Sequence, residues 1–172
     1  MEYQNQEFES KTFNNENFTD KSFKNSVFID CTFENCNLSN VNLENTKMQD
    51  ITFKESKILG LNFSKYNEFM VSFSFKNCFI SMSIFLNLEL KNIKIEDCQV
   101  FDCSFIETNL FNANFENSDL KNTLFQNTNL SYASFKNAKN YSINPNQNKL
   151  EKTTFSIPEV IGLLDTYNII LD

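Results

Sequence analysis

The chain is 172 residues long, enough for one well-buried domain, and is 41% hydrophobic with 20 Phe but no Trp, His or Arg. Its net charge of -7 argues against nucleic acid as a direct partner, because duplex binding rests on neutralising phosphates. The lack of His excludes His-dependent triads, proton shuttles and imidazole metal sites.

The start, "MEYQNQEFES", is polar and acidic, unlike a secretory signal, and no apolar run approaches the roughly 18 residues of a membrane span. These features predict a cytoplasmic chain without membrane association. Five Cys, an odd number, predict free thiols rather than a disulfide framework.

From Phe8 a large apolar residue recurs every fifth position: Phe13, Phe18, Phe23, Phe28, Phe33 and onward to Phe63. A helix repeats near 3.6 and a half-buried strand at 2, so neither explains a period of five. The phase then slips. Glu68 occupies the next expected position, and the run resumes at Phe75 and continues through Ile80, Phe85 and Leu90 to Phe135, which places a two-residue excess within 64–74. Two positions before each centre sits a second selected residue, most often small, as in Cys78, Ser83, Cys98, Cys103 and Thr108.

Two inward and three polar residues per five describe a chain that turns a corner every five residues. Four such turns close a square coil of about 20 residues, and stacked coils satisfy backbone groups at ~4.8 Å spacing. Large centres form apolar columns, with the smaller residues beside them. Asn two after the centre, as at Asn35, Asn117 and Asn122, suits a tight corner. In the first coil the small position holds Lys11, Glu16 and Lys21, whose side chains must reach solvent.

"ANFEN" at 113–117 and "TNLSY" at 128–132 closely resemble the repeat A-(D/N)-L-x-x of the pentapeptide-repeat family, and the resemblance runs from about residue 6 to 137. It implies an all-β solenoid, a right-handed quadrilateral β-helix, over residues 1–155.

After Phe135, "KNYSINPNQNKLEK" breaks the pattern and reads as a loop over 138–149, with Thr153 and Phe155 back in phase. "SIPEVIGLLDTY" then reads as a short capping α-helix, the start of a 156–172 segment. Ser156 is its expected N-cap, with Glu159 completing a capping box. Val160, Leu163, Leu164 and Tyr167 form its apolar stripe, and Gly162 permits close approach to the coil. Bacterial family members with a C-terminal helical cap have a similar arrangement. Ile161, Ile169, Ile170 and Leu171 exceed what one cap needs and predict, with the stripe, a homodimer contact at this end.

Little marks a reaction centre. Cys31-x4-Cys36 and Cys98-x4-Cys103 lack zinc-site spacing, and all five Cys fall at the small inward position, so no metal or other cofactor is expected. Glu96 and Asp97 are adjacent carboxylates on a corner, where plain solvated surface is the simpler reading than an acid/base pair. The chain is therefore expected not to be an enzyme.

Outward positions are more informative. Ile84, Leu86, Phe101, Ile106, Phe111 and Leu124 are apolar where polar residues belong, and they form a candidate partner surface unless the 64–74 excess or the 138–149 loop covers them. Two functions fit. One is a protein-interaction scaffold with an unidentified protein partner. The other is the role implied by a more distant resemblance to Qnr-type members: a DNA mimic that binds DNA gyrase or topoisomerase IV and relieves quinolone or toxin inhibition. No acidic stripe follows one face, which favours the scaffold.

Overall fold

The computed structural model describes residues 3–65, 72–167 and 169–170. Parallel strands of two to four residues stack into a β-solenoid of about seven turns. On the first face, Glu7–Glu9, Val27–Ile29 and Lys47–Gln49 pair in order. The second face carries the longest sheet, from Thr12–Asn14 through Thr32–Glu34, Ile51–Lys54 and Phe73–Lys76 to Lys94–Glu96. Lys57–Leu59, Phe79–Ser81 and Gln99–Phe101 form the third face. The fourth is Ile84–Leu86, Ser104–Ile106 and Leu124–Gln126.

Register follows the repeat. Phe13 pairs with Phe33 and Phe33 with Phe53, each 20 residues apart, whereas Phe53 pairs with Phe75, 22 apart. The phase slip is thus absorbed within one coil, and residues 66–71 of that segment lie outside the described residues. Large centres from Phe13 to Phe135 are buried, with Phe8 half-buried at the start, and the Phe rings stack as columns. Phe63, Phe85, Phe105 and Phe125 follow one another at 4.6, 4.5 and 5.3 Å with nearly parallel planes. Offset stacking at this spacing is favourable beyond the area it buries.

The corners explain the polar positions. From Asn5 to Glu55 and from Asn77 to Asn137, one residue in five has a φ between 47° and 64°. That left-handed backbone strains most side chains, and Asn and Asp tolerate it best. Asn therefore recurs there, and its amide also bridges coils, as from Asn117 to Asp97 and from Asn137 to Asn117. Gly60 takes the same conformation beside Asn40, whose Oδ1 would lie 2.8 Å from an added Cβ.

The small inward position does more than save space. Hydroxyls of Thr46, Ser56, Thr108, Ser118, Thr123 and Thr128 each donate to a carbonyl 23 residues earlier, in the coil below. Cys31 and Cys36 make the same contact through sulfur, and Cys78 makes it 25 residues back, across the phase slip. All five Cys are buried and free. Burial pushes the Cys31 and Cys36 thiols up and raises Cys103 to about 11. The neighbouring Cys78 sulfur, and then burial, raise Cys98 as well.

At the N-terminal end, Lys11, Glu16 and Lys21 are exposed, and the Lys11 ammonium lies 4.7 Å from the centre of the Phe13 ring and 5.1 Å from that of Phe8. The amphipathic stem thereby covers the rings of the first described coil.

At the other end, residues 138–149 keep the 20-residue count, with Lys139 bridging Asp119 and Lys149 bridging Asn129. Ala138, Tyr141 and Ile143 are buried, so this irregular stretch closes a coil. Asn148 donates to the Phe125 carbonyl where repeats elsewhere place a hydroxyl. Phe155 then stacks on Phe135 at 5.2 Å.

The capping α-helix expected from 156 onward is replaced by two short 3-10 turns, Glu159–Leu163 and Asp165–Tyr167. The Ser156 hydroxyl points back to accept the Asn137 N–H at 2.8 Å, and no side-chain hydrogen bond caps the turn that follows. The segment is also too short to hold an α-helix without strong tertiary support. Val160 and Leu163 are half-buried, and Leu163 packs on the core, while Leu164 and Tyr167 are exposed rather than part of a buried stripe. Gly162 lies against the Tyr141 backbone, where an added Cβ would stand 2.1 Å from the carbonyl oxygen.

Candidate functional site

The fourth face carries the largest departure from the polar exterior. Strand alternation sends Phe85, Phe105 and Phe125 inward, so their neighbours point out. Ile84, Ser104 and Leu124 form one outward column, and Leu86, Ile106 and Gln126 the other. Ile84, Leu86 and Leu124 are about 40% exposed (40%, 38% and 44%), and Ile106 is half-buried between its neighbours. Neither 138–149 nor the described residues beside the phase slip cover them.

The other candidates lie elsewhere. Phe101 is on the third face, half-buried and edge-on to Phe79 at 5.9 Å. Phe111 is on the first face, 37% exposed, with its ring 5.2 Å from Tyr132. The Lys152 ammonium stands over Tyr132 at 5.2 Å and donates to its hydroxyl at 3.2 Å. The six expected residues therefore divide into a four-residue cluster and two separate aromatic pairs.

Three contributors were not anticipated: Phe79, Met82 and Tyr132. Met82 stands at the corner between the third and fourth faces, 63% exposed, at a position where the repeat otherwise favours Asn. Tyr132 breaks the same rule at another corner. An apolar residue two after a centre is the signal that would have found both.

Asp97 accepts from Lys76 and Asn117, and these two hold its carboxyl below the usual range, with the Lys76 bond the larger cause. Glu96 accepts from the Asn114 amide at 2.6 Å and has Lys76 at 3.6 Å. Among the described residues no group of three or more Cys, Asp or Glu is placed to hold a metal. No described helix is long and apolar enough to cross a membrane.

At the C-terminal end, Ile157, Ile161, Leu164, Tyr167, Ile169 and Ile170 are exposed. Leu171 lies outside the described residues.

Comparison with known proteins agrees with this architecture. The family model described as pentapeptide repeats matches eight copies, in residues 17–57 and 103–139. No curated protein sequence matches the chain. Two trypsin-treated structures of QnrB1, described as a plasmid-mediated fluoroquinolone resistance protein, share its fold. One is 14% identical with a TM-score of 0.68, covering 99% of this chain and 93% of that one. The other is 13% identical with a TM-score of 0.66, covering 99% and 92%. Repeat model, coil geometry and structural likeness agree on one architecture, a right-handed quadrilateral β-helix built of pentapeptide repeats.

Proposed function

We propose that this chain is a non-enzymatic scaffold whose fourth face binds a protein partner. The supporting observation is the cluster of Ile84, Leu86, Ile106 and Leu124 on adjacent coils, bare where the repeat elsewhere places polar residues. A solenoid needs no apolar exterior for stability, and contiguous exposed apolar surface marks interaction sites. Leu124→Lys, on an exposed strand position, is expected to leave melting unchanged and abolish retention of the partner in affinity capture from the native host. Retention of the same partner by the variant overturns the assignment.

A second reading draws on the fold shared with QnrB1: protection of DNA gyrase or topoisomerase IV from fluoroquinolones. The distribution of carboxylates weighs against duplex mimicry. Asp20 and Asp102 lie on one corner, Asp30 and Asp50 on a second, Glu55 and Asp97 on a third and Glu107 on the fourth. A supercoiling assay with gyrase and a fluoroquinolone separates the readings, since only the protective role restores activity.

We also assign the exposed apolar residues of the C-terminal turns to a two-fold, end-to-end homodimer contact. A monomer by light scattering at high micromolar concentration contradicts it.

A further inference from the structure

Size, shape and charge narrow what the fourth face takes. Three coils by one face, at ~4.8 Å per strand and ~3.3 Å per residue, measure roughly 14 Å by 16 Å. That is on the order of 200 Å², against about 800 Å² that each partner contributes to a stable protein–protein interface. By itself the face fits one secondary-structure element of a partner rather than a broad protein surface.

Its relief is specific. Ser104 is flanked by Ile84 and Leu124 in its own column and faces the Leu86 and Ile106 column, so a short side chain sits in the middle of four bulky ones. The result is a shallow notch with apolar walls. Ile84 and Leu124 are two coils apart, about 9.6 Å along the solenoid axis. Seven residues of α-helix rise about 10.5 Å, so residues i, i+3 or i+4, and i+7 meet three successive coils.

Charge then sets the partner's flanks. Asp102 and Glu107 stand exposed on the two corners bordering this face, in the same coil as Ser104. Asp102 accepts from Asn122 at 3.0 Å, which leaves carboxylate lone pairs free for a cation. A helix about 10–12 Å across with its side chains fits between the two corners.

We propose that the fourth face docks an amphipathic helix of a protein partner, its apolar stripe on Ile84, Leu86, Ile106 and Leu124, one knob over Ser104, and Lys or Arg on both flanks facing Asp102 and Glu107. This rests on the scaffold reading above and names its partner's chemistry. Helix-on-surface recognition by i, i+3/i+4 and i+7 anchors is the general mode it uses.

The probe is an 18-residue Leu/Lys peptide with Leu at helical spacing, compared with a scrambled peptide of identical composition by fluorescence anisotropy at physiological salt. The helical peptide is expected to bind at least about tenfold more tightly than the scramble, since both carry the same charge. Leu124→Lys is expected to remove that difference. Asp102→Asn with Glu107→Asn, which keeps residues suited to left-handed corners, is expected to weaken binding about fivefold at unchanged melting temperature. Equal binding of both peptides, or indifference to Leu124→Lys, overturns the helix. If the peptide fails while Leu124→Lys still abolishes partner capture, the interaction surface stands and the helix is wrong. A dimer that Leu124→Lys dissolves assigns the face to a second copy and overturns it equally.

Discussion

The Thr108 hydroxyl donates to the carbonyl of Phe85, 23 residues earlier and one coil below, at 2.9 Å. Both groups are buried. Thr108→Val keeps the shape and removes the donor, and it is expected to cost about 1 kcal/mol in denaturant unfolding. Thr108→Ser should retain most of that. Equal losses from the two variants would show that packing alone, not the hydrogen bond, selects this position.

Corners offer a gain rather than a loss. Glu55 has a φ of 47° and lies in a column where Asn35 and Asn77 hold the same left-handed conformation. Glu55→Asn is expected to stabilise by roughly 0.5 kcal/mol, read as a small rise in melting temperature. A fall would mean that the Glu55 side chain contributes a contact of its own.

Much of this was legible in the sequence because the solenoid is built from local rules repeated. Phe13, Phe33 and Phe53 announce their column by spacing alone. Lys11, Glu16 and Lys21 marked the open first coil because charges cannot enter a closed one. The hydrogen-bonding role of Thr46 or Ser118 was hidden, since composition showed a small residue and not the carbonyl it meets 23 positions away. Ser156-x-x-Glu159 suggests an α-helix because the motif is local, but the Ser156 hydroxyl turns to the Asn137 N–H, a tertiary contact that no local pattern encodes. For the candidate surface, the repeat count identifies Ile84 and Leu124 as outward and puts Phe101, Ile106 and Phe111 on three successive faces, whereas the ring contacts of Phe101 with Phe79 and of Phe111 with Tyr132 required the folded coils.

The thiols give a pH dependence with a definite sign. Cys103 rises from its ordinary 9.0 to about 11 on folding, through burial. The unfolded thiol ionises first, so its contribution to stability is fully present below pH 9 and lost as pH climbs through 11. Cys103→Ala is expected to flatten the decline of unfolding free energy across that window, relative to wild type. An unchanged slope would mean that the thiol is not buried as described.

Gly162 tests the C-terminal closure. An added methyl would meet the Tyr141 carbonyl oxygen at 2.1 Å, so Gly162→Ala must lift the turn from the last coil. Burial, helped by Glu159, holds the Tyr141 hydroxyl up at about 12, and it has no hydrogen-bond partner among the described residues. The variant is expected to bring that titration back toward 10, followed by tyrosinate absorbance, and to lower the melting temperature. Normal melting with an unshifted Tyr141 would show that the last coil does not depend on this contact.

Side chains at the centres hold the coil, and those beside them are free for a partner. Leu124 and Phe125 are consecutive residues on opposite sides of one strand. Denaturant unfolding of Leu124→Lys and Phe125→Ala measures that division directly. Phe125→Ala is expected to lose about 3–5 kcal/mol as a cavity in the ring column, and Leu124→Lys to stay within about 0.5 kcal/mol of wild type. Comparable losses from the two would contradict that division between core and surface.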